Sequence, residues 1–128
     1  MKAKAIINPV DQSNIAHAEH VLGIKFSDEY KSFLNTVGVV SFKDKEIFGL
    51  GVPDSSYLNI IKATTDLKSL DQSFPQNAIP LFDIGDGHYY LYDNIAEVII
   101  VWATPNGGVV KTIAKPLENF LSELLFSN

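Results

Sequence analysis

Residues 79–102, IPLFDIGDGHYYLYDNIAEVIIVW, constrain the fold more than any other stretch of the chain. Two apolar, aromatic runs flank Gly85-Asp86-Gly87, and a third run over 98–102 follows Asp93-Asn94. β-branched and aromatic side chains suit a pleated surface, and Gly, Asp and Asn tolerate the positive φ of tight turns. The stretch predicts three neighbouring antiparallel strands at the centre of a sheet. Alternation puts His88, Tyr90 and Tyr92 on one face and Tyr89 and Leu91 on the other. Val98, Ile100 and Trp102 likewise oppose Ile99 and Val101. Aromatic bulk on both faces suits a middle strand that is covered on one face and partly exposed on the other. Pro105-Asn106-Gly107-Gly108 is a hairpin-type turn, and residues 109–113 return as a last strand.

Helical periodicity occupies the remainder. A helix over 11–22, capped by Asp11 or Ser13 and ended by Gly23, places Ile15, Ala18 and Leu22 on one face. His17 and His20 are spaced to reach one metal ion. They project away from the Ile15 face and lack a third ligand nearby, so they read as a solvated pair. Ser27 caps a second helix, with Asp28 and Glu29 in the first turn, where the helix dipole favours acids. Tyr30, Phe33, Leu34 and Val37 give it an i, i+3, i+4, i+7 face, and Gly38 ends it. The short link between these helices predicts that they pack together.

The period then changes to two. Residues 39–42 and 47–50 read as short strands about a charged turn, 43–46, and Gly49 and Gly51 mark a bulge. A third helix over 56–71 buries Ile60, Ala63, Thr64 and Leu67, with Leu70 at the edge. Tyr57 and Ile61 fall off that stripe and either cover a loop or anchor a partner. A fourth helix starts near Pro116 and turns Leu117, Phe120, Leu121, Leu124 and Leu125 inward. The arm over 1–7, closed by Asn8-Pro9, is an edge strand or a loose segment. The expected fold is a single α+β domain over 1–128, with a mostly antiparallel (mixed) central sheet and helices packed against it.

Size and charge narrow the function. A chain near 150 residues buries roughly 68–70% of its unfolded surface, so 128 residues support a core without covalent staples. No cysteine is present, which excludes disulfides and thiolate metal sites. No signal-peptide pattern or apolar run of ~20 residues occurs, which predicts a cytoplasmic protein with no membrane role. Net charge is −5, and all ten cationic residues are lysine. Without arginine to grip phosphates and guanines bidentately, an acidic chain is a poor nucleic-acid binder. Acidity suits a basic protein partner such as a nuclease, and it serves solubility equally well.

The chain carries no GxSxG, HExxH, GxxxxGK[ST] or GxGxxG pattern. Carboxylates, glycines and an imidazole gather only at Asp83 and Gly85-Asp86-Gly87-His88. A hydrolase would use Asp86 or His88 as a general base, or Asp83 and Asp86 as cation ligands. The same residues make an ordinary hairpin turn, and their spacing fits no EF-hand loop.

The segments AEHVLGIKFSDEYKSFLNTVG, VVSFKDKEIFGLG, IPLFDIGDGHYYLYD and KPLENFLSELL together resemble the SUKH superfamily, in its Smi/Knr-type branch. The match runs through Glu19, Leu22-Gly23, Tyr30, Phe33-Leu34, Ile79-Pro80, Gly85-Asp86-Gly87, Tyr90, Asp93 and Phe120-Leu121, over residues 11–126. Ser27 stands where the family often has proline, and Thr36-Val37-Gly38 replaces its usual Asn-Gly. The resemblance implies a non-enzymatic bacterial immunity protein that binds and neutralises a cognate toxin domain. It implies no catalytic residue, cofactor or metal. The expected partner is that toxin, and the expected state is a monomer or weak dimer. The candidate partner-binding residues are Asp44, Asp54, Asp83 and Asp86, with Tyr57, Tyr89 and Trp102 as aromatic anchors. A regulatory or scaffold protein, as among eukaryotic relatives, is the alternative.

Overall fold

The computed structural model describes residues 6–126. The meander expected from residues 79–102 is its larger sheet. β4 (Ala78–Gly85), β5 (His88–Asp93), β6 (Val98–Ala103) and β7 (Gly108–Ile113) lie in sequence order, and every neighbouring pair is antiparallel. Asp86 (φ 53°) and Gly87 (φ 76°) join β4 to β5, because Gly85 pairs directly with His88. Positive φ at both central residues gives a two-residue turn whose twist matches the strands it joins. Pro80 sits in β4, an edge strand of this sheet, where a residue without an N–H is tolerated.

A second, three-stranded sheet holds β1 (Ile6–Ile7), β2 (Val40–Phe42) and β3 (Lys45–Ile47), in the order β1-β2-β3 and antiparallel throughout. The arm is thus an edge strand at Ile6–Ile7; its first five residues lie outside the described residues. The charged turn is shorter than its sequence suggests. Lys43, at φ 57°, and Asp44 alone make it, and Lys45 and Glu46 are already in β3. The expected central sheet is therefore divided in two. The two sheets remain linked at a bulge: Leu81 is skipped in the β4–β5 register, and its carbonyl accepts the amide of Phe48, just past β3, at 2.9 Å.

Helices α1 (Gln12–Leu22), α2 (Asp28–Thr36), α3 (Ile60–Leu70) and α4 (Leu117–Phe126) complete the fold. Their caps follow the sequence. Asp11 accepts from the Asn14 amide, Gly23 ends α1 at φ 66°, and Ser27 accepts from the Tyr30 amide. Helix α3 begins later than expected. Residues 53–59 form hydrogen-bonded turns, and Asn59, not Ser56, is the N-cap. Asn59 is buried and also donates to the Val52 carbonyl at 3.4 Å.

Both faces of the larger sheet are covered. Tyr92 and Ile99 join Ile15, Tyr30, Leu34, Ile60 and Phe120 in the main core. Leu91, Ile100 and Trp102 turn the other way and pack with Leu67 and Phe74 in a second cluster. The alternation was as read. The second face is more enclosed than expected, because the end of α3 and the segment after it lie across it. Burying a side chain of this size contributes about 1.5–3 kcal/mol, and Trp102, Leu91, Tyr92 and Ile99 are all fully buried.

Candidate functional site

The sequence-predicted binding residues fall into separate groups. Asp44 occupies the exposed β2–β3 turn, and Glu46 follows in β3. Tyr57, 62% exposed, donates its hydroxyl to the Glu46 carboxylate at 2.6 Å. That hydrogen bond raises the Tyr57 pKa.

Asp83 and Tyr89 are partners across the β4–β5 ladder, and exposed Asp86 marks the tip of that hairpin. The Asp83 carboxylate accepts the Gly85 amide at 2.9 Å. Tyr89 is half-buried against Trp102, with ring centroids 5.9 Å apart. Burial raises the Tyr89 pKa, with a further contribution from the Asp83 charge. Asp86 and His88 do not line a deep polar pocket. They belong to a surface turn, in which His88 Nδ1 lies 3.0 Å from the Asp86 carbonyl. Gly87 is required there because a Cβ would meet the Thr104 carbonyl oxygen.

Trp102 is a core residue, in contrast to its expected role as an anchor. It is fully buried, packs edge-on against Phe74 at 5.2 Å and donates its indole N–H to Ser73 Oγ at 3.0 Å. No part of the ring is free to meet a partner.

A groove of about 350 Å³ between α1 and α3 joins residues that sequence order keeps apart. Val21 and Ile61 supply its apolar lining; His17, Asp54, Lys62, Thr65 and Asp66 supply polar groups. Val21 is 50% exposed although it lies on a helix whose other face is core. Asp54 connects the groove to the loop that carries Tyr57. Of the groove residues, Asp54 alone belongs to the predicted binding set. Ile61, off the α3 core stripe, was the other visible signal. The groove itself requires α1 to dock on α3, which no local pattern reports. Among the described residues, no three His, Asp or Glu side chains gather as a metal site. No helix among them is long and apolar enough to cross a membrane.

The SUKH_6 family model, described as SMI1-KNR4 cell-wall, matches residues 12–121. The chain belongs to the SUKH family. No curated protein matches this SUKH chain in sequence. Its fold is similar to a solved structure titled "Crystal structure of protein from Pseudomonas syringae pv. tomato", with a TM-score of 0.78. That similarity covers 96% of this chain and 88% of the other at 17% identity, and it concerns the fold alone.

The residues that carry the SUKH pattern build the fold. Glu19 accepts the Phe26 amide at 2.8 Å and so closes the α1–α2 link. Gly23 supplies the left-handed cap, and Tyr30 and Leu34 are fully buried. Asp93 accepts the Ile95 and Ala96 amides at 2.8 and 3.0 Å.

Proposed function

We propose that this SUKH protein is a non-enzymatic immunity protein that neutralises a cognate toxin domain by binding it. Family membership over residues 12–121 carries the reading, because SUKH proteins are generally of the immunity type. The surface supports it. Tyr57 is exposed and already oriented by Glu46, and a concave, partly apolar groove lies beside the loop that bears it. An aromatic anchor next to a hollow is a common form of binding hot spot. A net charge of −5 would speed encounter with a basic toxin and disfavour acidic partners.

Asp44, Asp54 and Tyr57 form the favoured part of the binding set, with Asp83, Asp86 and Tyr89 a second patch on the β4–β5 hairpin. The family description also contains the words cell-wall, which is the observation behind a regulatory reading. Co-expression with the toxin-like domain encoded beside this gene tests the proposal. Restored growth, lost on Tyr57→Ala with the protein still folded, is the expected result. Continued killing, with both proteins soluble and the toxin active, rejects that pairing and favours the regulatory reading.

A further inference from the structure

We infer that the α1–α3 groove receives a lysine or arginine side chain projected by the toxin, an inference that rests on the immunity reading above. The chemistry of the groove selects this occupant. Val21 and Ile61 offer an aliphatic surface in a hollow of about 350 Å³. Carboxylates from two different elements, Asp54 in the loop before α3 and Asp66 on α3, share the same lining. Long cationic side chains combine an apolar stem with a charged head and bury the two differently. Here the stem would lie on Val21 and Ile61 while the head reaches the carboxylates.

The groove's own cation does not neutralise it. Lys62 is bound to Asp66 at 3.1 Å in an exposed i,i+4 pair, a type of contact worth little and readily exchanged. Asp54 has no salt-bridge partner among the described residues. Two carboxylates and one ammonium share the lining, on a protein already at −5. An anionic or wholly apolar group would leave at least one carboxylate desolvated and unpaired, which opposes binding. A cation-bearing segment satisfies both the lining and the charge.

The test is the dissociation constant of the full chain for the toxin domain encoded beside its gene, measured on an inactive toxin variant at low and high salt. Asp54→Lys with Asp66→Lys should weaken binding by about tenfold to a hundredfold and flatten its salt dependence. Both residues are exposed, so an unchanged melting temperature verifies the fold. Val21→Trp, which fills the hollow without altering charge, should weaken binding similarly. Glu118→Lys with Glu123→Lys, at exposed positions of α4 outside the groove and both candidate patches, is the control for net charge alone. Wild-type binding that survives both groove variants, or falls equally in the control, overturns the groove assignment and leaves the immunity reading intact. Absence of wild-type binding removes the immunity reading and the groove assignment together.

Discussion

Glu29 and Tyr92, 63 positions apart, share a hydrogen bond that ties α2 to the larger sheet. The Tyr92 hydroxyl donates to Glu29 Oε1 at 2.8 Å, while Glu29 Oε2 accepts the Leu117 amide at 2.9 Å. One carboxylate thus joins β5 to the first residue of α4, where the helix dipole favours negative charge. Ser27 Oγ accepts the Tyr30 amide and lies 2.6 Å from the Tyr92 hydroxyl; because the single Tyr92 proton goes to Glu29, Ser27 is the donor to Tyr92. Asn94 adds a parallel tie: its Oδ1 accepts the Ser27 amide and its Nδ2 donates to the Asn77 carbonyl.

Tyr30 contrasts with Tyr92. The two rings stack at 5.7 Å, and both are fully buried, but the Tyr30 hydroxyl has no hydrogen-bond partner among the described residues. Tyr92→Phe removes a donor from the half-buried Glu29 carboxylate and should cost about 1–3 kcal/mol. Tyr30→Phe removes an unsatisfied hydroxyl and should be neutral or stabilising by about 1 kcal/mol. Urea unfolding of the two variants measures this. Equal destabilisation would show that the hydroxyls are equivalent.

Backbones approach most closely where three glycines meet. A Cβ on Gly49 would collide with the Gly38 carbonyl oxygen, and one on Gly38 or Gly51 with the Asn8 carbonyl oxygen. Through this junction pass the Leu50 N–H to Gly38 C=O and Ile60 N–H to Gly49 C=O bonds, both 2.9 Å. Gly49→Ala should lower stability by about 3 kcal/mol or more. Gly23→Ala, with a positive φ but open space around it, should cost only about 1–2 kcal/mol. Thermal unfolding of both proteins gives the comparison, and a mild Gly49→Ala would contradict the described packing.

Alkaline pH should unfold the protein through its buried tyrosines. Burial raises the pKa of Tyr30 and of Tyr92 above the ordinary phenol value. A folded pKa above the unfolded one gives stability that is intact below the unfolded pKa, near 10, and lost as pH rises further. Chemical denaturation at pH 8 and pH 11, with absorbance at 295 nm, follows this. Two tyrosines should ionise only together with unfolding; ionisation of all five with the native circular dichroism spectrum retained would refute it.

The acid side depends in part on Asp71. Its carboxylate accepts from the Ser73 amide, the Thr104 hydroxyl and the Asn106 amide, which hold its pKa below the ordinary value. Its contribution is present above the unfolded pKa, near 3.9, and is lost as pH falls through the lower folded value. Asp71→Asn should therefore be less stable than the parent at pH 7 and approach it at pH 2–3. A constant difference across that range would exclude the carboxylate's charge as the cause.

Local chemistry made much of this fold readable. Ser27, Asp11 and Gly23 act within a few residues, so their cap roles follow from type and spacing. Gly85-Asp86-Gly87 specifies its own turn, and alternation separated Tyr92 from Leu91 correctly. The start of α3 was not readable, because Asn59 becomes the cap only where Ile60 and Leu58 bond to Gly49. Nor was the division into two sheets, because a strand pattern does not say which strands pair with which. The burial of Trp102 needs Phe74 and Leu67 to cross the second face, and a strand pattern cannot show what covers it. Tyr57 and Asp54 were visible as candidates, whereas the groove beside them exists only once α1 meets α3.

The most direct measurement titrates purified protein into a fixed amount of an active toxin-like domain taken from a neighbouring gene and records residual toxin activity. Neutralisation by binding predicts a linear fall that reaches zero near one equivalent and does not change with time. Unchanged toxin activity at several equivalents would contradict the account. So would complete, time-dependent loss at a small fraction of one equivalent, which would reveal turnover and therefore an enzyme.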